Sequence, residues 1–337
     1  MDDSRFSSGT DKKMAPRIFV TQPIPAKALA QLREIGKVEL NPDSAHIVTK
    51  SELIAALGRN DYLFCLLHDT VDAEVIGANP HLKLIASMAI IPASIDVAAA
   101  TARRIPVTTI PPVVGEATAD LHWALLLAVA RRVAEADRAL RSGLFPGGQS
   151  MRFVGTEVHD KTLGIVGLGA IGQAVARRAK GFGMRILYTK PQRLDGAREM
   201  AFGVEYRSLD DLLKESDFVS INAALTPKTV HLIGARELGL MRPSAYLVNT
   251  ARGPIVDEKA LVRALVEKRI AGAALDVYEH EPLIEPGLIN LPNVVLTPHL
   301  GSAALETRER TAAIVVDNIA AVIEGRTPPN IYNPEIL

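Results

Sequence analysis

The sequence predicts an α/β protein of two doubly wound parallel-sheet domains, one inserted in a split other. Three observations predict it. Short apolar β runs alternate with helical patterns almost from end to end, the order that parallel strands and crossover helices require. One such run, Leu163 to Val166, passes directly into Gly167-Leu168-Gly169-Ala170-Ile171-Gly172 and then a helical pattern over Ala170 to Lys180. A chain of 337 residues also exceeds one ordinary core, so two domains are expected.

In chain order, residues 1–16 are polar, lack an apolar signal-peptide core and read as a disordered tail. Arg17 to Val20 reads as a strand, Ala26 to Ile35 as a helix, and Tyr62 to Leu67 and Leu84 to Ser87 as further strands. Ile105 to Thr109 is an extended piece stopped by Pro111-Pro112. A single long helix is expected from Glu116 to about Ser142, with Leu121, Leu125, Ala128 and Val129 along one side. Six strands follow, at 162–167, 185–189, 217–222, 245–249, 272–276 and 293–297, with helices such as Ser208 to Glu215 and Asp257 to Lys268 between them. A last helix, Ala303 to Glu324, returns to the first block. The expected boundaries are 17–115 with 303–337 for a substrate (lid) domain that closes over substrate, and 116–302 for the inserted domain.

The glycine run gives that inserted domain its chemistry. A strand, a G-x-G-x-x-G turn and a helix start form the cradle of a Rossmann-like dinucleotide site. The first glycine makes the turn, the second lets backbone approach phosphate, and the third packs helix on strand. The helix N-terminus offers N–H groups to the anion. An NAD site normally carries Asp or Glu some ~20 residues on, at the end of the next strand. Here that strand ends Tyr188-Thr189-Lys190-Pro-Gln-Arg193, with no carboxylate. Lys190, Arg193 and Thr189 suit the 2′-phosphate of NADP(H), with NAD(H) as the alternative cofactor; otherwise the two cations decorate an exposed loop.

Three later segments set polar residues at carboxyl ends of expected strands, the edge where open α/β sheets bind ligands. They present Arg252, then Asp276 and Glu281, then His299. Reduction of a 2-oxo acid needs a proton donor, which His299 supplies as general acid. A carboxylate, Glu281, on its other ring nitrogen favours the charged imidazolium and fixes the ring. Arg252 gives a forked donor for the substrate carboxylate. Singly, each has an ordinary structural reading as a loop histidine, a turn carboxylate or a surface ion-pair partner.

These segments, with Ile95-Asp96-Val-Ala-Ala99, Glu116 to Asp120 and Leu209 to Asn222, resemble the D-2-hydroxyacid dehydrogenase family over nearly all of residues 15–335. The resemblance implies that Arg252, Glu281 and His299 are catalytic and that Asp276 meets the nicotinamide carboxamide. It also places Thr250, Ala251 and Gly301 beside the cofactor. Ala89, Ile90, Ile91, Arg252, His299 and Ser302 surround the substrate. It implies reduction of a 2-oxo acid to the (R)-2-hydroxy acid, by a homodimer. The stretch Tyr188 to Arg193 is similar to NADPH-using glyoxylate/hydroxypyruvate reductases. One departure stands out: where the family usually has a glycine in the loop before Ile95-Asp96, this chain has Ile91, followed by Pro92, which lacks an N–H. A larger or more apolar 2-oxo acid is one consequence to test.

Composition narrows the alternatives. Lys plus Arg and Asp plus Glu both number 38, which argues against nucleic-acid and anionic-membrane surfaces. The apolar stretch Trp123 to Ala130 is too short to span a bilayer. Cys65, the single cysteine, lies in an apolar run and reads as a buried reduced thiol. No metal site is expected, and a cytoplasmic enzyme is. His122-Trp123 is expected at a dimer or domain interface, and His68 as a loop residue. A sugar-acid reductase such as a 2-ketogluconate reductase, phosphite oxidation and a nicotinamide-sensing corepressor-like module stay open as other readings. A phosphoglycerate dehydrogenase fits less well.

Overall fold

The computed structural model describes residues 15–145 and 147–337, so the expected tail falls outside the described residues through position 14. Pro16 does not belong to a tail: its carbonyl accepts from the Lys37 N–H at 2.8 Å, which starts the first strand pairing. The chain divides into two compact units, one reaching to Val113 and resuming at Ala304–Leu337, the other Val114–Ala303.

The first unit carries β1 (Arg17–Val20), β2 (Lys37–Leu40), β3 (Tyr62–Cys65), β4 (Leu84–Ser87) and β5 (Val107–Thr108). They pair in the order β2-β1-β3-β4-β5, all parallel. β3 is two residues shorter than expected, because the Asp69 carboxylate takes the Leu66 N–H at 2.6 Å out of the ladder. The outer edge of β5 is occupied by the returning chain. Thr109 N–H donates to Asn330 O at 3.1 Å, Tyr332 N–H to Val107 O at 2.7 Å, and Val107 N–H to Asn333 Oδ1 at 2.8 Å. The helix Leu305–Ile323 packs against the helix Ala26–Ile35 and β4. Cys65 is fully buried, and burial pushes its thiol far above the ordinary range, leaving it inert.

The second unit carries β6 (Thr162–Val166), β7 (Arg185–Thr189), β8 (Glu205–Tyr206), β9 (Phe218–Ile221), β10 (Tyr246–Asn249), β11 (Gly272–Leu275) and β12 (Val294–Leu296). All pair in parallel, in the order β12-β11-β10-β9-β6-β7-β8. The sheet thus has one strand more than the six expected. Helices cover both faces, so the strands are apolar on both sides. Leu163, Ile165, Tyr188 and Val248 enter one layer; Val166, Leu187, Val219 and Leu247 enter the other. The order reverses between β6 and β9, and the loops after β6, β10, β11 and β12 share the carboxyl edge where such sheets bind ligands.

The single helix expected over 116–142 is two helices, Gly115–Ala130 and Val133–Arg141. The break is tertiary in origin. Thr156 N–H captures the Ala130 carbonyl at 2.8 Å, and Gly155 lies so close to that carbonyl that no side chain fits. Arg132 then turns left-handed (φ 55°) and forks onto Glu135. The buried face of the first helix runs through Thr118, His122, Leu125, Leu126 and Val129. Among the described residues no helix is long and apolar enough to cross a membrane.

Candidate active site

The glycine turn folds as its spacing requires. Gly167 has φ 96°, and a Cβ there would lie 2.6 Å from the Ala223 nitrogen, so the turn excludes every other residue. A Cβ on Gly172 would strike the Gly167 carbonyl. Gly169 differs, since nothing lies within 4 Å of where its Cβ would stand. It caps the helix Ala170–Ala179 with no side chain bound to the first-turn N–H groups. Leu168 is buried behind the turn, whereas Ala170 is exposed and Ile171 half-buried. A bare helix N-terminus with open space above it fits a dinucleotide pyrophosphate. Beside Gly167, the buried Asn222 Oδ1 has no hydrogen-bond partner among the described residues, an acceptor aimed at the same switch point.

At the end of β7, Thr189 and Lys190 are half-buried and exposed Arg193 is engaged. Its guanidinium forks onto Glu199, Nε and Nη2 each 2.8 Å from a carboxylate oxygen, and stacks over the Tyr206 ring at 5.3 Å. Glu199 also accepts from the Tyr188 hydroxyl at 2.7 Å. Arg193 and Tyr188 together hold the Glu199 carboxyl down to about 2. The sequence reading missed this acidic partner because it sits on the following helix rather than at the strand end.

Glu281 and His299, 18 residues apart, meet as expected: His299 Nδ1 lies 2.8 Å from Glu281 Oε2. With Nδ1 donating to that carboxylate, the tautomer and the orientation of the ring are set. Glu281 is aimed by its other oxygen, which accepts the Tyr278 N–H at 3.0 Å. His299 is held left-handed, φ 55°, with its N–H donating to Asp276 O at 2.9 Å. Non-glycine residues adopt that conformation where surrounding bonds enforce it. Arg252 follows β10 in a turn shaped by buried Asn249, whose side chain binds Arg252 O and Ala251 N–H, each at 3.0 Å. The guanidinium donates to Ala251 O at 2.6 Å, a neutral partner that leaves its charge uncompensated by that contact. The Arg252 turn and the Glu281 loop interlock, since Gly253 abuts the Tyr278 carbonyl with no room for a Cβ.

Asp276, expected beside the nicotinamide, is 1% exposed and shapes the His299 turn. It accepts from Thr297 Oγ1 at 2.6 Å, Leu300 N–H at 2.7 Å and Gly301 N–H at 2.9 Å. Burial raises its carboxyl against the opposing effect of these donors. Tyr278, absent from the sequence reading, ties the same loops together: its hydroxyl donates to Thr297 O at 2.8 Å. Half-buried Ser302 follows this turn.

His122 and Trp123, expected at a dimer or domain interface, are buried. Both lie in the interior of the second unit, Trp123 donating to Val175 O at 3.2 Å and stacked on Phe182. His122 is fully buried, its Nδ1 3.3 Å from the hydroxyl of buried Thr250, and burial presses its imidazole down to about 3. Half-buried Ala251 separates Thr250 from Arg252. A histidine in an apolar helical stripe gives no sequence signal of its depth.

Ala89, Ile90 and Ile91 belong to the first unit, in the loop after β4. Ala89 is buried and its carbonyl accepts from Ile110 N–H at 3.0 Å; Ile90 is half-buried. Ser94 Oγ donates to Leu67 O at 2.8 Å and closes the loop. Ile91, at the position where a glycine is usual, is 54% exposed. His68 is an exposed loop residue.

Known proteins place this geometry. Residues 123–301 match the model for the D-isomer specific 2-hydroxyacid dehydrogenase, NAD binding domain. A glyoxylate reductase of Korarchaeum cryptofilum is 48% identical over 326 residues, 96% of this chain and 98% of that protein. A crystal structure from Thermus thermophilus superposes with a TM-score of 0.85 at 44% identity, covering 94% of this chain and 99% of that one. An NADPH-dependent glyoxylate/hydroxypyruvate reductase of Sinorhizobium meliloti, crystallised with NADP and malonate, has a TM-score of 0.77 at 31% identity over 95% of this chain and 98% of its own. With matches that run the length of both chains and a nucleotide cradle that folds as its glycines demand, this enzyme belongs to the NAD(P)-dependent D-isomer specific 2-hydroxyacid dehydrogenase family.

Proposed function

We propose that the enzyme reduces a small 2-oxo acid, glyoxylate or hydroxypyruvate, to the (R)-2-hydroxy acid with NADPH. The observation that carries the reading is the 2.8 Å His299–Glu281 pair on loops interlocked with the Arg252 turn. The Arg252 guanidinium clamps the substrate carboxylate and polarises the 2-oxo group. The reduced nicotinamide supplies the hydride that C2 accepts. His299 delivers the proton that completes the hydroxyl from Nε2, while Glu281 stabilises the imidazolium and holds the ring. In the reverse direction His299 takes that proton back.

NADPH is favoured by the strand end at Thr189-Lys190, which lacks a carboxylate, and by the reductase of Sinorhizobium meliloti crystallised with NADP. Gly167 to Gly172, Thr250, Ala251 and Gly301 are assigned to cofactor binding. Ala89 to Ile91 and Ser302 are assigned to substrate binding, and the first unit to the substrate domain. We further assign the enzyme to the cytoplasm as a homodimer, which sedimentation or light scattering checks. The deciding experiment is a steady-state assay of glyoxylate, hydroxypyruvate and 2-ketogluconate with NADPH and NADH in turn. The reading predicts the highest kcat/KM with NADPH and one of the two small acids. Superior turnover of 2-ketogluconate or a lower KM for NADH overturns it.

A further inference from the structure

The catalytic loops have a common anchor outside the reacting groups. His231, in the loop between β9 and β10, contacts both of them. Its backbone N–H donates to Pro254 O at 2.8 Å, in the turn that begins with Arg252. Its ring Nε2 lies 2.6 Å from Glu279 Oε1, two residues before Glu281. Glu279 is in turn locked to the helix Glu258–Val266. Its N–H donates to Glu258 Oε1 at 2.9 Å, and its Oε2 accepts the Glu258 N–H at 3.4 Å. Glu258 is buried, and burial together with the Glu279 charge raises its carboxyl. His231 holds this place in the left-handed region, φ 51°, a conformation that costs a non-glycine residue energy. A side chain spent in this way has a task in the local geometry.

We propose that His231 is a positioning residue that, through Glu279, fixes the Glu281 loop against the Arg252 turn and so sets the geometry of proton delivery by His299. The proposal rests on the catalytic reading above. Losing the side-chain bond leaves Glu279 held by Glu258 alone, so the segment that aims Glu281 loosens and the His299 ring is less firmly placed. The link acts on the reacting geometry and leaves the glycine cradle untouched.

The test compares wild type with His231→Asn, His231→Gln, Glu279→Ala, and the double variant His231→Asn with Glu279→Ala. Asparagine tolerates the left-handed backbone but is too short to reach Glu279; glutamine keeps a donor within reach. In glyoxylate reduction by NADPH, His231→Asn is expected to lower kcat roughly 10-fold. KM for NADPH should hold, and the falling alkaline limb of the kcat/KM profile should move to lower pH. His231→Gln should restore both, and the double variant should be no worse than Glu279→Ala alone. Amide exchange of the peptide spanning 276–284, followed without substrate, should be faster in His231→Asn and normal in His231→Gln. Unchanged kcat, pH profile and exchange in His231→Asn overturn the proposal. So does a loss shared by His231→Gln, or one matched by weaker NADPH binding and a lower Tm. If wild type turns over no 2-oxo acid, the catalytic reading fails, while the exchange comparison still decides whether His231 anchors the loop.

Discussion

Replacing Gly253 by alanine tests how tightly the Arg252 turn is built onto the Glu281 loop. An added Cβ would stand 1.8 Å from the Tyr278 carbonyl carbon and 1.9 Å from its oxygen. Both neighbours are backbone, so no side chain can swing away to relieve the overlap. Ordinary contact begins near 3.4 Å, so the two loops must part by about 1.6 Å. Tyr278 N–H aims Glu281 and the Tyr278 hydroxyl holds Thr297, so the shift is felt at both members of the His299–Glu281 pair. A displacement of that order costs about 100-fold in rate, or about 2.7 kcal/mol of transition-state stabilisation. Overpacking of this kind also costs about 2 kcal/mol of stability, a drop of about 4–8 °C in Tm. The assay is steady-state NADPH oxidation with glyoxylate, read beside Tm and beside NADPH affinity from nucleotide fluorescence. The glycine cradle lies on another loop and only Thr250 and Ala251 adjoin the turn, so NADPH affinity should fall far less than kcat/KM. A Gly253→Ala enzyme that keeps half of wild-type kcat/KM would refute the interlocking argument.

Other perturbations follow from the same contacts. Glu199→Gln removes the acidic half of the Arg193 fork, so KM for NADPH should fall about three- to fivefold while KM for NADH stays put. Because Glu199 stays ionised down to about 2, wild-type cofactor preference should not change between pH 5 and 8 through this pair. Asp276→Asn sets an NH2 group or loses an acceptor against Thr297, Leu300 or Gly301; kcat should drop about 10- to 100-fold through the displaced His299 turn. Its Tm should move less than that of Gly253→Ala, since burial already disfavours the ionised Asp276 that is being replaced. His122 is neutral in the folded protein down to about 3, whereas the unfolded chain binds that proton below about 6.5. Its contribution is therefore present above pH 6.5 and lost as pH falls, by about 2 kcal/mol at pH 5. Urea unfolding of wild type should weaken by that much more than His122→Gln between pH 7 and pH 5; equal slopes would sink the assignment.

What the chain discloses by itself divides along physical lines. Local patterns were legible: the apolar runs of β1, β4 and β7, and the glycines whose spacing dictates a turn. Chemical type at a strand end also carried far, since Glu281 and His299 lie in bonding contact although nothing between them in the sequence says so. Two of the short edge strands, β2 and β8, were not legible. β2 and β8 are held by one neighbour each, and Glu205–Tyr206 carries no apolar run. The helix break at Ala130 was hidden because its cause, the N–H of Thr156, arrives from a distant loop. Asp276 and Tyr278 bond mainly to backbone, which has no residue-type signature, and the Glu279 carboxylate that meets His231 lies 48 residues away. The fork between Arg193 and Glu199 shows the converse limit: a cation suited to a phosphate is equally suited to a nearby acid.

The edge of β5 carries a consequence for how the chain is made. Thr109 and Val107 find their partners at Asn330, Tyr332 and Asn333, more than two hundred residues further on. Residues 114–303 form an uninterrupted stretch and close their contacts without either flanking segment. The amino-terminal portion emerges first yet must wait, its outermost strand half-bonded, until residues 330–333 are free of the ribosome. The part synthesised earliest is thus the last to be sealed.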